Sequence, residues 1–456
     1  MTKVLNIDVA ARAHRNALDY LASGADEAII APGKPGMRLL LEDGGFRYNE
    51  RIRVFPELNH KDPMAMLALA KAEKPDLIHV DQDDALYTDM AEILRNNGFK
   101  VVGPSKKAAQ IEWDKIWARK FMERHEIPVP EYREFRQTDE AAIAYAKDLL
   151  QRLSAVHENP AVFFKAKGLY EGKGVKKATK LEGSVFAAYT AMGKMGVAAE
   201  EFLVEEGIVG EEFSAYNLVN GEDIELIGYA QDNKTVDTHD RGENTGGMGA
   251  NSRAGIVKGH EGTIETIVRK TAKGLVKEDR PYRGVLYLGG IVDMVRNPGA
   301  VIVLEDNARN GDPERLVFEI ENCLDFMLAA AEDRKLIKAQ QDALTRVASV
   351  GASYGYPGDY SAMKNKQIWF DYKRIPKGVQ FFSYAINVED DPSNVPKILR
   401  AGGGRLFAFV AAEQNVLEAV VKARQAMACA FIEDNGLIWR PDIAWRDVQR
   451  YLRGEL

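Results

Sequence analysis

The stretch VIVLEDNARNGDPE, residues 301–314, sets an apolar strand directly against a run of carboxylate, amide and guanidinium side chains. The β-branched VIV favours extended backbone, in which successive side chains point to opposite faces. Glu305 and Asn307 stand two apart and therefore share a face. Two oxygen-bearing side chains on one face suit Mg²⁺, which takes a few protein oxygens and completes its shell with water and substrate phosphates. The alternative is a strand end whose polar residues face solvent, and the stretch alone leaves both readings open. Upstream, VLYLGGIVDMV (285–295) and the turn RNPGA (296–300) make the strand the second arm of a hairpin.

Further upstream lies RGENTGGMGANS, residues 241–252, with four glycines and two asparagines at non-repeating positions. Such a cluster is either a linker or a loop whose bare N–H groups hold an anion, and the lack of repetition favours the loop. Before it, PAVFFKAKG (160–168) and GVKKA (174–178) read as antiparallel strands joined by LYEGK (169–173), a turn able to cover phosphates with Lys165 and Lys173 beside it. An exposed hairpin with solvated lysines is the competing reading. The segments KVLNIDV, ARAHRNALDYLASG, EAIIAPG, MAMLALAKAEK, DLIHVD, ALYTDMAEILRNNG and KVVGP alternate strand and helix patterns, the signature of βαβ units on a parallel sheet. In such sheets ligands gather at the carboxyl ends of strands, here the loops at 8–14, 31–36, 81–84 and 103–105. The tail from VASVGASYGYPGDY (347–360) to IWRPDIAWRDVQRYL (438–452) mixes strands, one long helix and glycine turns, a small α+β element.

The chain has 456 residues, 46% hydrophobic and 28% charged, enough for several domains with large cores. Its net charge of -7 and the absence of a long Lys/Arg block give no electrostatic footprint for nucleic acid. Two cysteines, Cys323 and Cys429, are too few for a disulfide framework or a thiolate metal site and suit a reducing compartment. The first residues lack a continuous apolar stretch and no segment has the length of a spanning helix, so a soluble cytoplasmic protein is expected.

In order and spacing, FKAKGLYEGKGV, ENTGGMGANS, LEDNARNGDPE, ASYGYPGDY and DIAWRDV are similar to the phosphoribosylamine–glycine ligase family, ATP-grasp enzymes of purine synthesis. The resemblance covers essentially the whole chain. It implies an N-terminal Rossmann-like βαβ domain over 1–110, an ATP-grasp domain over 111–335 with a lid subdomain at about 125–200, and a small C-terminal α+β domain over 336–456. It also implies an ADP-forming carboxylate–amine ligase using ATP with Mg²⁺ or Mn²⁺, acting on an amino acid and an amine, with no nucleic-acid or membrane partner, as a monomer or small homo-oligomer. Residue by residue, Lys115 and Lys165 match phosphate-contacting lysines, and Gly168, Gly172, Lys173 and Gly174 match a lid over the phosphates. Glu205, Glu206, Gly207 and Ile208 match the hinge that pairs with adenine, and Glu212 matches a ribose ligand. Glu305 and Asn307 match the metal ligands; Arg309 and Asp312 beside them, with Asn244, Gly246 and Gly247, match the group around the transferring phosphoryl and acyl phosphate. Arg12, His14, Asp83 and Asp240 match positions implied for the substrates.

The acceptor half departs from the family pattern. A glycine-rich GNGGREHA-like turn is DVAARAHR (8–15) here, with every glycine gone and Asp8 added, and a GPEAPL-like loop is DQDDAL (81–86). Glu243, Asn251, Asn310 and Thr235 also replace family residues. Both altered loops make the amine pocket more anionic, which disfavours a phosphate and suits a cationic or hydroxyl-rich amine. Three readings follow: the family reaction, a related ligase with a different, non-phosphorylated amine, and a non-catalytic nucleotide-binding homologue.

Overall fold

A computed structural model of the chain describes residues 1–168, 174–181, 183–390 and 396–456. Gly172 and Lys173, two of the expected lid residues, lie outside the described residues.

The N-terminal part is a five-stranded parallel sheet in the spatial order Ile52–Val54, Glu27–Pro32, Lys3–Asp8, Leu77–Val80, Val101–Val102. Glu27–Pro32 and Leu77–Val80 are buried at every position, as strands covered on both faces must be. Helices Ala11–Ala22, Pro63–Glu73 and Met90–Asn96 accompany the strands, and Asp62 caps the second by accepting the N–H groups of Met64 and Ala65. From Lys3–Asp8 the chain crosses first to Glu27–Pro32 on one side and later to Leu77–Val80 on the other. This is a topological switch point, where adjacent connections part and leave a crevice at the carboxyl ends. Asp8, Arg12 and Asp81 stand there.

Two antiparallel sheets follow. The smaller has the order Val175–Ala178, Val162–Ala166, Glu201–Glu206, Tyr132–Arg136 and carries its own core, in which Phe135, Phe164 and Phe202 pack against Leu149 and Met192 of the helices Ala141–Ser154 and Ser184–Gly193. The larger has nine strands among the described residues, eight of them running from the hairpin Arg283–Asp293 and Val301–Asn307 through Gly210–Asn220, Asp223–Asp232 and Gly249–Ser252 to Thr345–Ser353, Arg405–Glu413 and Gln380–Ser383, with Leu437–Ile438 pairing to the end of Thr345–Ser353. The C-terminal element is therefore continuous with the central sheet rather than a separate layer. Gly249–Ser252 is buried throughout and pairs on both edges, with Asp223–Asp232 and with Thr345–Ser353, because a buried strand cannot leave either row of backbone groups unpaired. A short hairpin, Leu39–Glu42 with Gly45–Tyr48, inserts Phe46 among Phe370, Phe381 and Tyr372 of the C-terminal core, which ties the first part of the chain to the last.

Candidate active site

The cleft between the two antiparallel sheets collects the expected phosphate-handling residues. Lys115 opens the helix Lys115–Arg124, whose N-cap Asp114 accepts the Trp117 N–H at 3.0 Å. Lys165, in the strand Val162–Ala166, places its Nζ 2.6 Å from Glu205 Oε2. Glu205 also receives the Arg119 guanidinium on both oxygens, at 2.7 and 3.2 Å. Burial opposes its charge, yet Arg119 and Lys165 hold its carboxyl at about 2. The Glu205 side chain thus orders Lys165.

Its neighbours, expected to form the hinge, are tied to adjoining segments. Glu206 donates its N–H to Glu131 O at 2.9 Å, and Gly207 donates to Ala161 O at 2.8 Å. A Cβ on Gly207 would lie 2.7 Å from that carbonyl, so the approach requires glycine. Among the described residues the Ile208 N–H has no acceptor, which leaves one edge donor for a flat heterocycle. Glu212 faces the same cleft and pairs with Lys234 at 2.8 Å.

Glu305 and Asn307 share a face as the alternation requires, and Asp306 between them turns into the core. Glu305 is solvent-accessible and makes no direct ion pair among the described residues. The protein crowding the cleft would raise its carboxyl, but Lys234, Lys115, Lys165 and Arg309 together hold it below the usual range. Asn307 is buried, and its Nδ2 has no partner among the described residues. The accessible Glu305 carboxylate, with the Asn307 side chain on the same face, fits a divalent cation that would take their oxygens and draw its remaining ligands from a polyphosphate.

The acceptor side joins the NGDPE turn to the parallel sheet. Arg309 Nη2 lies 3.0 Å from Glu112 Oε1 and 4.0 Å from Asp83 Oδ2. The other Glu112 oxygen accepts the Ala308 N–H at 2.8 Å. Asn310 donates its backbone N–H and its side-chain amide to Asp81, at 2.8 and 2.9 Å, so this amide serves where the family pattern has an aromatic ring. Arg12 pairs with Asp8 at 2.9 Å, donates to Gln82 Oε1 at 3.0 Å and lies 4.0 Å from Asp81. Arg12, Asp83 and Arg309 are therefore brought together.

At three expected positions the groups are engaged within the protein. His14 is fully buried, accepts the Ser383 N–H on Nδ1 at 3.2 Å and packs edge-on against Phe382. Burial lowers its pKa to about 3, so it is a neutral packing residue between helix Ala11–Ala22 and the C-terminal sheet. Asp240 is taken up by Arg440 at 3.2 Å and Arg446 at 2.6 Å. The glycine loop does not present bare donors: Gly246 gives its N–H to Tyr356 Oη and Gly247 to Thr245 Oγ1, each at 2.9 Å. Its glycines permit close approach instead. Gly247 has φ +106°, and a Cβ there would sit 2.3 Å from Pro313. Asn244 remains exposed at the loop's entrance.

Sequence reasoning passed over the clamp on this loop. Arg405 donates to Gly246 O at 2.5 Å and to Asp312 O at 2.7 Å, with its guanidinium 4.5 Å over the Tyr384 ring. Tyr384 in turn donates to the Asp312 carboxylate. The Asp312 side chain thus anchors the turn to the C-terminal element. No local signal marks Arg405, because its partners lie far away in sequence.

Two family models match the chain, phosphoribosylglycinamide synthetase N domain over residues 2–112 and phosphoribosylglycinamide synthetase ATP-grasp (A) domain over residues 113–315. Phosphoribosylamine–glycine ligase of Salmonella typhimurium is 32% identical, covering 98% of this chain and 99% of its own. The Escherichia coli protein of the same name is also 32% identical over the same shares. The chain belongs to the phosphoribosylamine–glycine ligase family. A solved member of that family from Thermotoga maritima superposes with a TM-score of 0.71 at 24% identity, covering 97% of this chain and 100% of its own. The fold is also that of biotin carboxylase from Campylobacter jejuni, with TM-score 0.67, 14% identity and coverage of 99% and 96%. Within the family frame, the N-domain match holds Asp8, Arg12 and Asp81, and the ATP-grasp match holds Lys115, Lys165, Lys234 and Arg309 around Glu305.

Proposed function

We propose that the chain catalyses the family's reaction, joining the carboxylate of glycine to the amino group of phosphoribosylamine while ATP is converted to ADP and phosphate. The observation that carries this reading is the convergence of Lys115, Lys165, Lys234 and Arg309 on Glu305. Transfer of a phosphoryl group depends mainly on positioning and on neutralising spread charge, which four cations around one carboxylate are arranged to do. A carboxylate oxygen of glycine attacks the γ-phosphorus, the bond to ADP breaks, and an acyl phosphate forms. The amine nitrogen then attacks the acyl carbon, phosphate leaves with the former carboxylate oxygen, and the nitrogen loses a proton. Glu305 and Asn307 would hold Mg²⁺, which when bound supplies charge neutralisation between the phosphates. Lys115 and Lys165 bind phosphate oxygens, Ile208 offers its N–H to adenine, Glu212 receives the ribose, and Arg309 steadies the carboxylate. Clamping of the glycine loop by Arg405 and Tyr356 shields the reacting centre from water. An ATP-consuming biosynthetic ligase with two buried free thiols, Cys323 and Cys429, belongs in a reducing cytoplasm. No helix of the described residues is long and apolar enough to cross a membrane.

The test is ADP release with MgATP and glycine, with and without phosphoribosylamine generated in the assay. Strong stimulation by this amine is expected; ADP release with other amines but not this one would replace the amine assignment. That second reading, a ligase for a non-phosphorylated amine, is favoured by one observation, the carboxylate of Asp8 in the amine crevice.

A further inference from the structure

Asp81 follows the strand Leu77–Val80 at its carboxyl end and is fully buried. Its Oδ1 accepts the Asn310 N–H at 2.8 Å, and its Oδ2 accepts the side-chain amides of Asn310 and Asn16, each at 2.9 Å. The Asn16 oxygen accepts the Arg315 Nε–H at 2.8 Å, so the grip on the NGDPE turn (310–314) extends from its first residue to the one that follows it. Arg309 stands immediately before this turn. Its Nη1 donates to Asn310 O at 3.0 Å and its Nη2 lies 3.0 Å from Glu112 Oε1, so the guanidinium leans on the residue that Asp81 holds. The arrangement needs a carboxylate. Asp81 takes three donors on two oxygens, and Asn16 cannot reverse its amide without losing Arg315. An amide at position 81 would set its own NH2 group against the Asn16 amide or against the Asn310 N–H, leaving a buried donor unpaired. On the ligase reading, on which this rests, Arg309 steadies the substrate carboxylate. We propose that Asp81 is a positioning residue that acts on the reaction through Arg309, by holding the NGDPE turn to the carboxyl end of the parallel sheet. Its effect falls on placement and not on ATP affinity, because Lys115 and Lys165, which bind phosphate oxygens on the same reading, stand on other elements. Displacement of an aligning group by about 1 Å costs roughly 100-fold in rate.

The test is a double-mutant cycle on the full-length chain with Asp81→Asn, Arg309→Lys and the two combined, read by ADP release with MgATP, glycine and phosphoribosylamine generated in the assay. Asp81→Asn is expected to lower kcat ~10- to 100-fold while the KM for ATP changes less than about twofold. In the Arg309→Lys background the same substitution should lower kcat by less than about threefold, because the group it acts through is already altered. Losses that multiply in the double variant overturn the proposal, as does a KM for ATP that rises as far as kcat falls. Should Asp81→Asn not fold, Asn310→Ala, which removes one of the three donors, is carried through the same cycle with the same criteria. Deuterium exchange over residues 308–312 is followed in the native chain and in the folded variant. At least about tenfold faster exchange of the Asn310 amide is expected in the variant, and unchanged exchange overturns the proposal. Failure of every amine to stimulate ADP release by the native chain would defeat the ligase reading, while the exchange measurement would still decide whether Asp81 holds the turn.

Discussion

Glu305 faces the cleft and its neighbour Asp306 is turned into the core, so the two carboxylates do different work. Glu305→Gln should lower ADP release by ~100-fold or more, since it removes charge where phosphoryl charge develops. Its thermal midpoint should stay near the native value, because an accessible side chain without an ion pair among the described residues supports little of the fold; a large fall in both would make Glu305 structural. His14 gives a pH signature. Its folded pKa is near 3 against an ordinary 6.5, so below 6.5 the unfolded chain binds a proton that the fold refuses. The stability His14 contributes is complete above pH 6.5 and is lost as pH falls toward 3. Thermal melts of native and His14→Gln protein should therefore converge or cross as the pH drops through this window, and parallel curves would show that His14 is not held neutral. Strand alternation made the pairing of Glu305 with Asn307 legible, because it depends only on local backbone. The burial of His14 depends on Ser383, 369 residues away, and no local pattern carries that.

At the scale of elements, the glycine loop, the NGDPE turn and the start of the strand Arg405–Glu413 lock together. Gly247→Ala should destabilise the chain by about 1–3 kcal/mol, through positive φ and the clash with Pro313. Denaturant unfolding measures this, and an unperturbed midpoint would mean that the loop does not rest on the turn. Arg405→Gln should cost ~10- to 100-fold in kcat by loosening two loops at once, while the KM for ATP changes little. Steady-state kinetics distinguish that from a uniform loss of binding. The glycine cluster was legible as a loop with a purpose, but bare sequence cannot tell glycines that expose N–H groups from glycines that let two backbones meet. The donors of Gly246 and Gly247 point to Tyr356 and Thr245, and only the tertiary fold decides that.

Across the whole molecule, alternating strand and helix patterns made the parallel sheet legible, while the ATP-grasp architecture was legible only through its motifs. Continuity of the central sheet into the C-terminal element was not, since pairing between Gly249–Ser252 and Thr345–Ser353 joins distant segments. Removing residues 336–456 should leave the buried edge of Gly249–Ser252 unpaired and take away Arg405, giving an insoluble or unfolded product. A soluble, ATP-binding fragment would show the parts to be independent. In the proposed reaction this molecule activates a carboxylate as an acyl phosphate. Its most direct test uses glycine labelled with ¹⁸O in the carboxylate and follows the inorganic phosphate by mass spectrometry during turnover. Transfer of one labelled oxygen into phosphate for each amide formed is the expected result; amide formation with unlabelled phosphate would rule out the acyl phosphate.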